Sequence, residues 1–254
     1  MIRRRTLLAS PLALRLPVRA FAQDGGPRPL IVLLEANPWL MVLGSDSPSF
    51  ALYEDGTAIY RAESGFQWVR LGAEERAALI DRVKPEAIAA QARFYNLSPY
   101  MSDQQTTYLF VFGPGGPKTV SIYGALRKPE IRQNLPAPIA DAYGVLHGFR
   151  HPRATPWLPE KVEVMIWPYE YAPEASVIWP VGWPGLKDPA TVKRRDGAYS
   201  IYLPSIELPA LSAFLKTRSE KGAVEIDGHK WAVSYRFPFP REKDWTVLRD
   251  SEPV

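Results

Sequence analysis

The 254-residue sequence has no cysteine and only three histidines. Without thiols there is no disulfide scaffold, no zinc ribbon and no cysteine nucleophile. His147, His151 and His229 are too scattered for a metal signature such as two histidines on one helical face, so nothing calls for a metal or a cofactor. Two of them, His147 near a helix end and His229 beside a turn, read as surface or capping residues. Long apolar runs are missing as well. None approaches the ~20 residues needed to cross a bilayer core of ~30 Å, so no transmembrane span is expected. Nor does one sign of charge dominate, with 31 Lys+Arg against 27 Asp+Glu. What is present is a 46% hydrophobic share, which suits one large or two small globular domains and excludes disorder as the main state.

The small positive excess sits at the front. Residues 1–22 contain Arg3, Arg4, Arg5, Arg15 and Arg19 and no acid, which leaves 26 Lys+Arg against 27 Asp+Glu in the remainder. No basic stripe of the kind phosphate contacts need follows, and no nucleic-acid partner is expected. The front segment runs from Arg3-Arg4-Arg5-Thr6-Leu7-Leu8 through an apolar stretch to Ala20-Phe21-Ala22. Charged start, short apolar core and small residues at the cut are the order of a secretory signal, and the paired arginines before Leu-Leu resemble a twin-arginine export signal. Pro11 and Pro17 argue against the competing reading, an amphipathic helix of the mature chain. A periplasmic or secreted location follows.

Downstream, turns and hydrophobic periods predict an α+β fold of antiparallel hairpins with helices packed on the sheet. Asp55-Gly56, Asp196-Gly197 and Asp227-Gly228 are two-residue hairpin signals. Across the first, Leu52 is expected to face Ile59. In the last hairpin Trp231, Val233 and Tyr235 alternate with polar neighbours and predict one buried face. Ala73, Ala77, Ile80 and Val83 mark a helix that Pro85 ends and restarts, with Ile88, Ala92 and Tyr95 continuing its face. Tyr108 to Phe112 reads as a central strand, and Val120 and Ile122 lie on the strand that returns. Ile139, Ala142, Tyr143 and Leu146 share a third helix face, stopped at Gly148. A strand over Ala198 to Leu203 and a helix from Pro209 with Leu211, Phe214 and Leu215 follow. The prolines between His151 and Glu160 suggest a boundary, giving modules over 23–152 and 153–254. Each half reads hairpin, helix, hairpin, but turn-to-turn distances of 59 residues (Gly56 to Gly115) and 31 (Gly197 to Gly228) give no fixed period, so duplication stays open.

Residues 49–124, with Phe50-Ala51-Leu52-Tyr53-Glu54-Asp55-Gly56-Thr57-Ala58-Ile59-Tyr60-Arg61, then Phe94-Tyr95-Asn96-Leu97, Asp103, Tyr108 to Phe112 and Val120 to Gly124, resemble a module of uncharacterised secreted bacterial proteins. The resemblance implies export and an α+β fold and transfers no catalytic residue. Catalytic motifs are wanting. Gly113-Pro114-Gly115-Gly116-Pro117-Lys118-Thr119 is shaped like a phosphate loop, yet Pro114 and Pro117 lack the N–H groups that cradle phosphate, and a plain turn accounts for it. No Gly-x-Ser-x-Gly elbow supports a serine nucleophile.

One segment departs from the background. Trp167-Pro168-Tyr169-Glu170-Tyr171-Ala172-Pro173 and Trp179-Pro180-Val181-Gly182-Trp183-Pro184 place three of the eight Trp and two Tyr among four prolines that forbid a helix or central strand. The rings form either a core lid or a stiff platform with Glu170 and Glu174 as hydrogen-bonding edges. The platform reading makes Trp167, Tyr169, Glu170, Tyr171, Trp179 and Trp183 the candidate ligand-binding set, with at least one of Trp179 and Trp183 exposed. The expected function is an exported, non-enzymatic protein binding an unknown envelope ligand or protein. The alternative is a hydrolase of an envelope polymer using paired carboxylates near this loop, drawn from Glu163, Glu170, Glu174 and Asp188. N-terminal sequencing of the exported protein should begin at Gln23; an intact Met1 or Ile2 terminus outside the cytoplasm would contradict the export reading.

Overall fold

A computed structural model describes residues 26–250, so the export signal expected over 1–22 lies outside the described residues. In chain order the elements are β1 (Pro29–Ala36), β2 (Phe50–Tyr53), β3 (Thr57–Ala62), β4 (Gly65–Arg70), α1 (Ala73–Val83), α2 (Pro85–Ala89) and β5 (Phe94–Asn96). Next come β6 (Thr106–Gly113), β7 (Gly116–Tyr123), α3 (Pro129–Arg132), α4 (Ala137–His147), β8 (Thr155–Pro156), β9 (Lys161–Pro168) and β10 (Glu174–Ile178). The last are β11 (Val192–Lys193), β12 (Tyr199–Pro204), α5 (Leu208–Lys216), β13 (Gly222–Ile226), β14 (His229–Arg236) and α6 (Lys243–Asp250). The fold is α+β, in two mixed sheets.

The eight-stranded sheet has the order β5-β7-β6-β1-β2-β3-β4-β8. Its centre, β1, is apolar nearly throughout, as a strand covered on both faces must be. One face carries Ile31, Leu33, Phe50, Leu52, Leu109 and Ile122 and is covered by Leu79, Val83, Ile88, Ile139, Tyr143 and Leu146 of the helices. The other carries Val32, Leu34, Ala51, Tyr53, Ile59 and Phe110 and meets Trp157, Phe239 and Trp245. The C-terminal segment therefore returns to the first sheet, and the buried Tyr53 hydroxyl donates to Pro240 O (3.1 Å).

The six-stranded sheet has the order β10-β13-β14-β9-β12-β11. Its hydrophobic face is built from Val162, Val164 and Ile166 of β9, Ile201 and Leu203 of β12, and Trp231 and Val233 of β14, under Leu211 and Phe214 of α5. The alternation seen in the sequence at Trp231, Val233 and Tyr235 is thus the sheet's two faces, as period-two patterning requires.

Several local expectations are corrected. Leu52 pairs with Ala58 and Ile59 with Ala51, so Leu52 and Ile59 point to opposite faces. The reason is a loop one residue longer than expected, Glu54-Asp55-Gly56, because a one-residue slip flips every side chain. Gly56 has φ +84°, and a Cβ there would sit 2.4 Å from Leu71 O, so only glycine closes this turn. On α1 the larger Leu79 is buried with Val83, while Ala73 and Ala77 are exposed. The helical face does not reach Tyr95, since 94–96 form β5, parallel to β7. β10 also runs parallel to its neighbour β13, so the sheets are not purely antiparallel. The proline-rich aromatic segment begins inside a central strand. Trp167 and Pro168 are the last residues of β9, where a missing N–H is tolerated.

Candidate functional site

Alternation along β9 sends Val162, Val164 and Ile166 to the hydrophobic face and Glu163, Met165 and Trp167 to the other. That second face forms the floor of a groove of about 960 Å³, walled by Phe239, Glu242, Lys243, Thr246 and Arg249 from the C-terminal segment and by Arg194 and Arg195 at the edge. The volume lies in the range of small-ligand sites.

At the floor Glu163 is 1% exposed. Its Oε1 accepts from the Ser200 hydroxyl (2.6 Å) and Arg194 Nη2 (2.7 Å), and its Oε2 from Arg236 Nη2 (2.5 Å). Arg236 Nη1 donates in turn to Glu242, and Arg194 Nη2 to the Tyr202 hydroxyl (3.1 Å). Burial alone would raise the Glu163 carboxyl, but Arg236, Ser200 and Arg194 together hold it below its ordinary value. Burial lifts Glu242 above its ordinary value despite Arg236. Five basic side chains, Arg194, Arg195, Arg236, Lys243 and Arg249, face three acids, Glu163, Asp196 and Glu242, so the groove is cationic, with Trp167 and Tyr202 as aromatic wall.

A second pocket of about 590 Å³ opens beside it and shares Arg236. It lies at the ends of β1 and β3 and is lined by Glu35, Asn37, Trp39, Asp46, Arg61, Gln104, Gln105 and Arg127 among others. The buried Glu35 accepts from Arg127 Nε (3.3 Å) and the Tyr143 hydroxyl (3.1 Å), with His147 Nδ1 at 3.4 Å. Its carboxyl would rise on burial but is held at about 2 by His147 and Arg127. Asp46 moves the other way: burial pushes it up to about 6, although Asn37 N–H donates to its Oδ2 (3.1 Å). His147, expected as a surface or capping residue, keeps its side chain 39% exposed, and it also reaches the buried Glu35 and stacks on Tyr143 at 5.1 Å.

The six sequence-derived ligand residues do not form one surface. Trp167 faces the groove. Trp179 is 6% exposed and lies with the half-buried Trp183 on the opposite, hydrophobic face. Their rings meet edge to face at 4.9 Å and each contacts Phe214 at 5.7 Å. Trp179 Nε1 donates to Pro184 O (3.1 Å) and Trp183 Nε1 to Glu207 Oε2 (3.3 Å). The expectation of an exposed Trp here is overturned: these rings are the core lid, since satisfied indole N–H groups let a Trp be buried. Tyr169 is half-buried, Tyr171 is 97% exposed, and Glu170 is exposed beside His229 Nδ1 (3.0 Å). The proposed carboxylates are dispersed as well: Glu174 accepts from Lys221 N (2.9 Å) and Asp188 from Ala190 N (2.8 Å). Arg194, Arg236, Glu242, Glu35 and Asp46 escaped sequence reasoning because they are far apart in the chain. The one local signal was the small polar run Ser45-Asp46-Ser47-Pro48-Ser49, whose three serines are buried.

Among the described residues there is no group of three or more His, Asp or Glu that could hold a metal ion, and no helix is long and apolar enough to cross a membrane. No family model, curated protein or solved structure matches the chain.

The raised Asp46 value carries a stability sign. The unfolded carboxyl loses its proton near pH 3.8 and the folded one near pH 6, so folding loses stability as pH rises between these values and nothing further above. Asp46→Asn removes this penalty. Its unfolding free energy should match the native chain near pH 3, exceed it progressively from pH 4 to 6, and stay higher by up to about 3 kcal/mol at pH 7. A difference constant across this range in urea unfolding would show an ordinary carboxyl.

Proposed function

We propose that this chain is an exported, non-enzymatic binding protein whose groove takes an anionic envelope ligand with an apolar or ring-shaped body. The observation that carries the reading is the convergence of Arg194, Arg195, Arg236, Lys243 and Arg249 on a groove walled by Trp167 and Tyr202. Charges set on a low-dielectric wall concentrate an oppositely charged ligand, and the aromatic rings supply contact area at little entropic cost. Glu163 serves there as a brace. It fixes two guanidinium groups, so less ordering remains to be done on binding. The arginine-led N-terminal segment supports the location.

A second reading, hydrolysis of an envelope polymer through paired carboxylates, draws support from Glu35 and Asp46. They share one pocket with carboxyls held at about 2 and about 6, the separation that acid and base roles need. This pair lies away from the aromatic segment. Release of reducing ends from a polysaccharide, lost in Asp46→Asn, is the measurement that would establish it.

Calorimetric titration with hexametaphosphate and with an oligogalacturonate at low ionic strength tests the binding reading. At least one should bind, quench tryptophan fluorescence, weaken with added salt, and lose about tenfold in affinity in Arg195→Gln. Absence of binding by both, or binding indifferent to salt and to Arg195→Gln, would remove the reading.

A further inference from the structure

We propose that the pocket around Asp46 is a saccharide-binding site, in which Trp39 stacks against the C–H face of a pyranose ring and Asp46, Asn37, Gln104 and Arg61 share its hydroxyls. The site adjoins the cationic groove, with Arg236 lining both, and does not rest on the anion reading of that groove. It deepens the second reading of this same pocket, and sugar binding without release of reducing ends would overturn hydrolysis alone.

The first support is the kind of polar group present. Carboxylates, carboxamides and guanidinium groups line the pocket, all of them planar and able to engage two neighbouring hydroxyls at once. Charge is balanced, with Glu35, Asp46 and Asp103 against Arg61, Arg127 and Arg236. An anion or a cation would meet as much repulsion as attraction there, whereas a neutral ligand rich in both donors and acceptors would not. The capacity to bond is there. Asp46 accepts one hydrogen bond from Asn37 N–H, and a carboxylate offers about four lone-pair sites. Arg61 sits over Phe66 with its guanidinium carbon 4.7 Å from the ring centroid, a cation–π contact that holds the group at the pocket.

The second support is Trp39, 75% exposed on the same pocket. A bare indole beside polar groups gives an apolar face with a polar edge, the counterpart of a pyranose. The backbone that carries it is tied to the pocket: the Trp39 backbone N–H donates to Asn37 Oδ1 (3.0 Å), and the Asn37 backbone N–H donates to Asp46 Oδ2. The loop that forms the pocket wall is anchored: the Ser45 hydroxyl donates to Val42 O (2.7 Å) and Ser47 Oγ accepts from Phe237 N–H (2.7 Å). A protein partner would cover Trp39 but leave a polar cavity of about 590 Å³ to fill. A short glycan fills both.

Titration of the full chain with maltotetraose, cellotetraose and tetra-N-acetylchitotetraose, read by calorimetry and tryptophan fluorescence, tests the site. At least one should bind. Trp39→Ala, which removes an exposed side chain, should keep the native melting temperature and weaken that binding at least about tenfold, and Asp46→Asn should weaken it too. Failure of all three sugars at millimolar concentration, with the groove anion still bound, would overturn the saccharide site alone. Binding unaffected by both variants would overturn it, as would a concentration-dependent dimer that Trp39→Ala abolishes.

Discussion

Glu163 is the point on which the second sheet and its groove depend. It is nearly fully buried on β9, and a carboxylate in that position is tolerable only when cations and donors replace the lost water. Arg194 comes from the turn beside β12, Ser200 from β12 itself and Arg236 from the end of β14, so one side chain ties three segments of the second sheet together. Arg236 passes the connection on to Glu242 at the approach to α6. From there the chain enters the first sheet's core through Trp245, so an ion-pair chain on one sheet continues as hydrophobic burial on the other.

The two cavities follow from this arrangement. Arg236 lines both, and its guanidinium is held from either side by Glu163 and Glu242. The serine contacts Ser45–Ser234 (2.9 Å) and Ser47–Phe237 (2.7 Å) join the loop after β1 to β14 and to the residue that follows it. Cation excess in one cavity and charge balance in the other give them different chemistry a few side chains apart. Dispersion of aromatic surface matters too. Trp179 and Trp183 are spent on the core, which leaves Trp167 in the groove and Trp39 at the pocket.

What could be read in the sequence was local. Strand alternation at Trp231, Val233 and Tyr235, the apolar run Tyr108 to Phe112, the face of α4 and the turn at Pro114-Gly115 each depend on neighbours in the chain, and each is present as read. Where a one-residue choice decided the outcome, as at Gly56, turn chemistry alone gave the wrong register. The aromatic segment drew attention because its composition is unusual, yet composition cannot tell a lid from a platform. Face assignment decides that, and β9 puts Trp167 on the side opposite Trp179. The polar sites were out of reach for another reason. Glu163 meets Arg236 across 73 residues and Glu35 meets Tyr143 across 108, and only tertiary structure brings such partners together.

The measurement that bears most directly on this account is equilibrium urea unfolding of Glu163→Gln followed through tryptophan fluorescence. Removing one member of a buried ion-pair network leaves its partners uncompensated, so the loss should be about 3 kcal/mol or more. On the proposed anion reading the same variant should bind hexametaphosphate or the oligogalacturonate more weakly, because Arg194 and Arg236 lose their common anchor. Unfolding free energy within about 0.5 kcal/mol of the native chain, with anion binding unchanged, would contradict the claim that this carboxylate organises the second sheet and its groove.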